Sequence, residues 1–334
     1  MACPTTDFHQ DGLAGDPVVF GGRHVLFTFD VEGFRIEQIQ GWLLVFRALA
    51  AQLHGVPLPF SFFLATEFMV QLRHRDAAVY AEFCAALHDL WAVGGRVHMH
   101  NHFVFDLATG LRLPPAVELP ERYAKRRSLF HSVVYGQGIG MDEWLPTAYH
   151  CHEEIMADIG HPAHELRVFR VGGWDYGVSR EDRVAYLKAL AGCGVRIDTS
   201  AGYGEFGTPG FRIGSPFGCN TYRLAEDLVE VAPCWAWEAH SPPWHPRHGR
   251  AWKTLLGQSR LWTGAPGVFN VVMHLDHLLH DFDGRTLMPY AVTRPEDVER
   301  RVRSLLTFMR RLGVVLRLNP VHFDDLPCLS PAFS

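Results

Sequence analysis

Two short segments of the sequence carry side chains that could hold a metal ion and move protons. Asp30 and Glu32 stand two residues apart in the segment TFDVE, at the end of an apolar run, and His98, His100 and His102 alternate in the segment HMHNH. Two neutral imidazoles and one carboxylate can hold a divalent ion with a position open for water, while a second carboxylate can accept the water's proton. These residue types therefore predict a metal-dependent hydrolase.

The spacing of the three histidines leaves two arrangements open. If a strand runs straight through the segment, His98, His100 and His102 share one face and a three-histidine site is possible. If the chain turns after the strand, His98 and His102 pair as residues i and i+4. His98 and His100 alone would also suit the His-x-His of amidohydrolase barrels, although that motif belongs on their first strand.

Composition narrows the class of protein. The chain has 334 residues, of which 48% are hydrophobic, and a formal net charge of -5. This charge argues against nucleic acid or an anionic membrane as a partner, because such partners need concentrated basic patches. No export signal or membrane span is visible, so we expect a cytoplasmic protein acting on a small molecule.

The seven cysteines are scattered without a C-x-x-C pair, which indicates free thiols. Oligomeric state stays open.

Apolar runs and helical periodicities alternate along the chain. Predicted strands cover 24–29, 60–64, 96–100, 166–170, 195–198, 268–274 and 314–318. Predicted helices cover 36–53, 76–93, 148–159, 181–193 and 295–312. The alternation predicts a parallel α/β barrel or sheet in a single catalytic domain, residues 1–334 with a core from 20 to 325. Two segments rich in Gly, Pro and aromatic residues, about 103–148 and 202–263, are interpreted as loop insertions over one face.

The candidate chemical residues follow the predicted strands. Active sites of parallel α/β barrels form at the carboxyl ends of the strands. The residues that fall at these ends are Asp30, Glu32, His98, His102, Arg170, Asp198 and His274.

In this order the residues resemble the motifs of the polysaccharide deacetylase family, also called carbohydrate esterase family 4 or the NodB homology domain. The similar segments span nearly the whole chain: TFDVE at 28–32, HMHNH at 98–102, FRVGGW at 169–174, IDTS at 197–200 and VVMH at 271–274. The resemblance implies a distorted (β/α) barrel and the hydrolysis of a C–N amide bond.

The resemblance also implies a role for each matching residue. Asp30 would be the general base, and the metal ligands would be Glu32, His98 and His102. Zinc is the expected metal, with cobalt, nickel, iron and manganese as alternatives. The other implied roles are an Arg170 that pairs with Asp30, an Asp198 that orients the general acid His274, and backbone N–H groups near Gly173 and Trp174 that face the developing oxyanion.

The chain departs from the family pattern at several positions. Asp-x-Glu replaces two adjacent aspartates, and Val171 stands where a proline commonly follows the motif arginine. His277 is a rival for the role of general acid. Two further clusters each allow two interpretations: the tryptophans from Trp235 to Trp262 could stack on a sugar or pack in the core, and the basic residues from His245 to Arg250 could grip an anion or be solvated.

The substrate that the resemblance implies is an N-acetylated amino sugar or a sugar-containing metabolite, which the chain would deacetylate. Hydrolysis of a cyclic amide is an alternative within the same superfamily. Two alternatives belong to other classes. A non-haem iron oxygenase could use His274, Asp276 and His322 on a jelly roll, and a pseudoenzyme could bind carbohydrate without reaction.

Overall fold

The computed structural model describes twelve parts of the chain: residues 18–31, 39–101, 141–161, 166–172, 180–200, 221–225, 227–233, 235–236, 266–279, 281–282, 287–288 and 294–330. The strands are β1 (Arg23–Val31), β2 (Phe60–Ala65), β3 (Gly95–Asn101), β4 (Arg167–Val171), β5 (Val195–Asp198), β6 (Thr221–Ala225), β7 (Leu228–Val231), β8 (Trp235–Ala236), β9 (Gly267–His274), β10 (Asp281–Phe282), β11 (Leu287–Met288) and β12 (Asn319–Pro320).

The α-helices are α1 (Ile39–Leu53), α2 (Thr66–Arg75), α3 (Ala77–Ala92), α4 (Met141–Ile159), α5 (Arg180–Gly192), α6 (Pro295–Leu316) and α7 (Leu326–Leu329). Short 3-10 turns follow β9 and precede α7, at Leu275–Leu278 and Phe323–Asp325. None of the helices in these parts of the chain combines the length and the apolar character needed to cross a membrane.

A largely parallel sheet forms the centre of the fold. Its strand order is β6-β7-β5-β4-β3-β2-β1-β9-β8, and β12 pairs with the start of β1. Apart from β6, which runs antiparallel to β7, each strand pairs in parallel with its neighbours. The predicted α/β class with a parallel sheet is confirmed.

The two faces of the sheet bury different side chains. Along β1, Val25, Phe27 and Phe29 pack in a large cluster with residues of α1, α3 and α6. Leu26 instead belongs to a second cluster, which we call the interior cluster. Its members come from five further strands and from the first and last described segments: Val18, Phe20, Phe63, Val168, Ile197, Val229, Val231, Val268, Val321, Phe323 and Leu326. The strict alternation along β1 is that of a strand buried on both faces.

The predicted strand at 314–318 is wrong. Helix α6 runs four residues beyond its predicted end and stops where Arg317 takes a left-handed conformation with φ of 52°. Within this last turn Gly313 and Leu316 are buried while Val314 and Val315 are exposed. This pattern of burial has helical spacing. Val314 and Val315 are β-branched residues of the kind that favours strands, but they lie on the solvent side of the helix. The strand of this region is the two-residue β12.

Three strands lie within the segment interpreted as an insertion at 202–263. Strands β6, β7 and β8 all belong to the main sheet. Helix α2, which follows β2 directly, was not predicted, and α4 begins seven residues earlier than expected although Pro146 lies inside it. Residues 102–140, which hold most of the other expected insertion, lie outside the described residues. The single-domain organisation stays a prediction.

Candidate active site

Asp30 lies at the carboxyl end of β1 with only 3% of its surface exposed. The strand register pairs it with Phe63 on β2 and with His274 on β9. Two more site residues were predicted at this end of the sheet, Glu32 and His274. Glu32 lies outside the described residues, and of His274 only the backbone is described. The backbone alone therefore establishes that Asp30 and His274 stand side by side on neighbouring parallel strands.

Arg170 on β4 binds Asp30 directly. Its Nη1 donates to Asp30 Oδ1 at 2.5 Å, and neither side chain is more than 3% exposed. The other two nitrogens of the guanidinium also donate, Nη2 to Thr28 Oγ1 at 2.9 Å and Nε to the Thr199 carbonyl at 3.3 Å. Burial lowers the pKa of Arg170, and the Asp30 carboxylate opposes this shift. The pairing of Arg170 with Asp30 matches the role that the sequence resemblance implied.

A ring stacks on the same guanidinium. The Cζ of Arg170 lies 3.8 Å from the centroid of the Phe63 ring. An arginine over an aromatic face gains cation–π attraction, which grows when water is excluded. Phe63 thus contacts the face of the guanidinium, while Asp30 contacts its terminal nitrogen Nη1.

Polar side chains to which the sequence analysis gave no role form further hydrogen bonds around the Asp30–Arg170 pair. Asn270 Nδ2 donates to Thr199 Oγ1 at 2.8 Å and to the Val231 carbonyl at 2.9 Å. Thr28 Oγ1 donates to the Val271 carbonyl at 2.9 Å, which leaves its lone pairs for Arg170. These bonds join residues of β1, β7 and β9, so Asp30 and Arg170 lie within a network of hydrogen bonds between strands. A buried Thr or Asn in a strand carries no local sequence signal for such a role.

The two described histidines of the HMHNH segment differ in surroundings. His100 is buried, pairs in register with Arg170 and Ala65, and has its Nδ1 3.0 Å from the Arg170 carbonyl. Because a carbonyl only accepts, Nδ1 must carry the hydrogen, and a neutral His100 then has its lone pair on Nε2. His98 stands two residues deeper, its ring centroid 5.6 Å from that of Phe63 and 5.4 Å from that of Phe323.

Glu67 is a buried carboxylate that the sequence interpretation did not single out. It lies in the first turn of α2, two residues after β2, and is 2% exposed. With the Asn101 amide oriented so that its nitrogen donates, that nitrogen lies 2.5 Å from Glu67 Oε2 and 2.9 Å from the His100 carbonyl. Glu67 thereby ties the end of β2 to the end of β3. A carboxylate soon after a strand was the available signal, as at Asp30 and Glu32.

Asp198 lies on the other face of the sheet from Asp30. It pairs in register with Phe169, which packs against α5, whereas its neighbour Ile197 belongs to the interior cluster. The Asp198 carboxylate accepts hydrogen bonds from the Tyr186 hydroxyl at 3.1 Å and from the Ser200 hydroxyl. Its predicted role in orienting His274 stays a prediction, since the His274 side chain is not described.

Several predicted residues lie outside the described parts of the chain. They are Glu32, His102, Gly173 and Trp174, together with the basic residues 245–250 and most of the tryptophan segment. Of the rival acid His277 only the backbone is described, in the 3-10 turn after β9. Among the described residues no group of three His, Cys, Asp or Glu side chains is placed to hold a metal ion.

The iron-oxygenase alternative is wrong on geometry. His322 follows β12, and the Val321 N–H donates to the Val25 carbonyl near the start of β1. His274 pairs with Asp30, five residues further along the same strand, which is about 16 Å at strand rise. One metal cannot bridge that span, and a parallel α/β sheet is not a jelly roll.

Comparison with known proteins finds structural likeness without a sequence match. No profile of a known protein family matches the sequence. No curated protein matches it significantly. The chain is similar to a putative polysaccharide deacetylase from Mycobacterium smegmatis, with 15% identity and a TM-score of 0.45 over 92% of this chain and 96% of that one. It is also similar to a family 4 carbohydrate esterase from Streptomyces lividans in complex with acetate, with 11% identity and a TM-score of 0.30 over 88% and 91%.

Proposed function

We propose that this chain is a metal-dependent amide hydrolase of the polysaccharide deacetylase type, which removes the acetyl group from an N-acetylated amino sugar or sugar-containing metabolite. The observation that carries the proposal is the buried ion pair of Asp30 and Arg170 at the carboxyl end of a parallel strand, in register with His274. A carboxylate held in this way can act as a general base. An intact pair of this kind also counts against a pseudoenzyme.

We further propose that the sheet curves into the distorted (β/α) barrel of this family. Strands β7 and β8 stand near opposite ends of the strand order, yet residues 232–234 alone join them. Four residue steps span at most about 15 Å. The hydrogen bond from Asn270 on β9 to the Val231 carbonyl on β7 crosses the same gap. The interior cluster, which collects side chains from six strands, supports the same curvature.

In the proposed reaction two different side chains carry out the two proton transfers. Asp30 takes the proton of the attacking water, and Arg170 holds the Asp30 carboxylate in place at the carboxyl end of the sheet. His274, on the strand beside Asp30, gives a proton to the departing amine, because amines leave poorly unless they are protonated. The N–H groups near Gly173 and Trp174 would stabilise the oxyanion.

The hydrogen bonding of His100 fits a metal ligand. Metal-binding histidines usually donate their second ring N–H to a carbonyl or carboxylate, as His100 Nδ1 does to Arg170. The packing of His98 between two phenylalanine rings instead supports a core role. We therefore prefer His100 to His98 as a ligand, together with Glu32 and His102. A bound divalent ion, with zinc expected, would polarise the amide carbonyl and lower the pKa of a water molecule.

Metal content decides between the two histidines. We expect His100→Ala to lose the metal, whereas His98→Phe should keep it, because a phenyl ring preserves the packing but cannot ligate. His54→Ala, at an exposed position, is the control. Elemental analysis of the purified variants measures the result. Full metal in His100→Ala with loss in His98→Phe would return the ligand role to His98.

Acetate release tests the reaction itself. The metal-loaded protein should release acetate from a panel of N-acetylated monosaccharides and small glycosides. Asp30→Asn should lower kcat by about 10²–10⁴-fold, the usual cost of losing general base catalysis. Asp89→Asn, an exposed change on α3, should leave kcat as it is. Activity confined to cyclic amides would keep the reaction and replace the substrate class, and no hydrolysis of any amide would refute the proposal.

A further inference from the structure

A second group of buried polar side chains lies on the helix-facing side of the sheet. Asp198 on β5 pairs in register with Glu230 on β7, and both residues are fully buried. Neighbouring residues of parallel strands lie about 4.8 Å apart, so the two carboxyl groups are immediate neighbours. Two carboxylates at that separation in a water-free interior cannot both be ionised without a large electrostatic cost.

The hydrogen bonds show which of the two carboxyl groups carries the negative charge. Asp198 accepts from the Tyr186 hydroxyl, which lies 3.1 Å from both carboxylate oxygens, and from the Ser200 hydroxyl. A carboxyl group surrounded by donors is the ionised partner, because hydrogen bonds of this kind favour the charged form. Burial raises the pKa of Asp198, but the hydrogen bonds from Ser200, Tyr186 and Glu230 oppose this shift. Glu230 can act in this way only as a donor, so the shared proton belongs on Glu230.

We propose that Asp198 and Glu230 share one proton at neutral pH, and that Asp198 acts through Ser200 as a positioning residue for the strand end that presents Arg170. The Ser200 hydroxyl gives its hydrogen to Asp198, so its lone pair is free to accept the Val171 N–H at 2.9 Å. Val171 follows Arg170 directly. The ionised Asp198 thereby fixes the peptide next to the arginine that holds the general base.

Other titratable and charged groups face this pair from each element packed against it. Tyr186 lies on α5 and Tyr149 on α4, and burial raises the pKa of both phenols well above the ordinary value, so both stay neutral. Tyr222 on β6 is the register neighbour of Glu230. Arg170 acts on both carboxyl groups electrostatically, but its guanidinium is bound to Asp30 on the opposite face. The proton is therefore exchanged within the pair.

The pH dependence of folding tests the shared proton without any assay of activity. Above about pH 5 the two carboxyl groups of the unfolded chain hold no proton, whereas the folded pair keeps one at neutral pH. Folding thus takes up a proton, and the folding equilibrium constant should fall about tenfold for each unit by which the pH rises from about 5 to 7, because of the pair alone. Glu230→Gln, which keeps the size and a donor, should remove that contribution from the slope.

The control for the slope is Glu82→Gln, an exposed glutamate. An unchanged slope in Glu230→Gln would overturn the proposal, and so would a Glu230→Gln protein that fails to fold while Asp198→Asn folds. The unaltered protein offers a second measurement. Its infrared spectrum at pH 6 should contain the carbonyl band of a buried protonated carboxylic acid, and the absence of this band would also overturn the shared proton.

The positioning role rests on the proposed function and needs turnover to be measured. Ser200→Ala removes the link to Val171, so kcat should fall about tenfold or more while KM changes little. Glu230→Gln should keep kcat within a few-fold, since its neutral side chain still serves an ionised Asp198. An unchanged kcat in Ser200→Ala would overturn the positioning role. If the unaltered protein hydrolyses no amide, the proposed function fails, and the slope measurement still decides the proton.

Discussion

Arg170 serves the candidate site through two different groups. Its guanidinium binds Asp30, while its backbone carbonyl accepts from His100. Any shift of this one residue would therefore move the proposed general base Asp30 and the proposed metal ligand His100 together. This explains why the residue is held so firmly, with four side-chain hydrogen bonds and an aromatic ring against its face.

Replacing this arginine should cost stability as well as activity. Arg170→Met leaves the Asp30 carboxylate buried without its cation, and breaking a buried pair in this way typically costs about 3–5 kcal/mol in the free energy of unfolding. Urea denaturation measures the loss. Arg196→Met is the matched control, because Arg196 is 37% exposed and pairs with the exposed Asp227; its cost should stay below about 1 kcal/mol. Equal losses in the two variants would contradict a buried, charged pair.

The sequence predicted some of these residues and could not predict others. The pairing of Asp30 with Arg170 followed from ordered motifs. The roles of Thr28 and Asn270 did not, because their contact joins positions 242 residues apart and depends on the register of β1 and β9. Long-range hydrogen bonds of single polar residues leave no local pattern. The preference for His100 over His98 likewise needed the atoms around each ring.

At the scale of elements, predictions held where one periodicity was long and clear. Helix α3 was predicted within one residue at each end, and strand β5 was predicted with its observed bounds. The prediction failed at α6, whose last turn combines exposed valines with a glycine, and at β6 to β8, whose four- or five-residue strands and two-residue strand are too short to show alternation. Their place in the sheet is set by strand pairing rather than by local sequence.

The start of α3 offers a test at this scale. Asp76 is the N-cap of α3, and its side chain accepts from the Val79 N–H at 3.0 Å. Asp76→Ala leaves that donor without its cap, so the free energy of unfolding should fall by about 0.5–2 kcal/mol. Thermal denaturation measures it. Asp89→Ala makes the same replacement at an exposed position inside α3 and should be close to neutral. A loss as large in Asp89→Ala would show that capping is not the cause.

For the described part of the molecule, the candidate site and the first and last described segments lie at opposite ends of the sheet. Asp30 and Arg170 stand at the carboxyl ends of their strands, whereas the Val321 N–H bonds to Val25 near the start of β1. The Ser330 hydroxyl donates to the Val19 carbonyl at 2.6 Å, which joins the two ends of the described chain. One end of the sheet thus carries the candidate site, and residues 18–20 and 321–330 pack together at the other end.

Phe323 is the residue through which the C-terminal segment enters the interior. It is fully buried in the interior cluster, with its ring against Phe63 and His98. Phe323→Ala should lower the free energy of unfolding by about 3–5 kcal/mol, because it removes a ring and leaves a cavity. Val315→Ala, at a 55% exposed position on α6, should be nearly neutral.

If the chain is one cooperative domain, the loss of stability in Phe323→Ala must destabilise the whole domain. Chemical denaturation followed by near-UV and by far-UV circular dichroism should then give one shifted transition with coincident midpoints in Phe323→Ala. The physical reason is that the interior cluster collects side chains from six strands, so a cavity there weakens the packing of each of them. Two separate transitions, with only one of them shifted, would contradict the single-domain prediction and would assign Phe323 to one unit of a divided molecule.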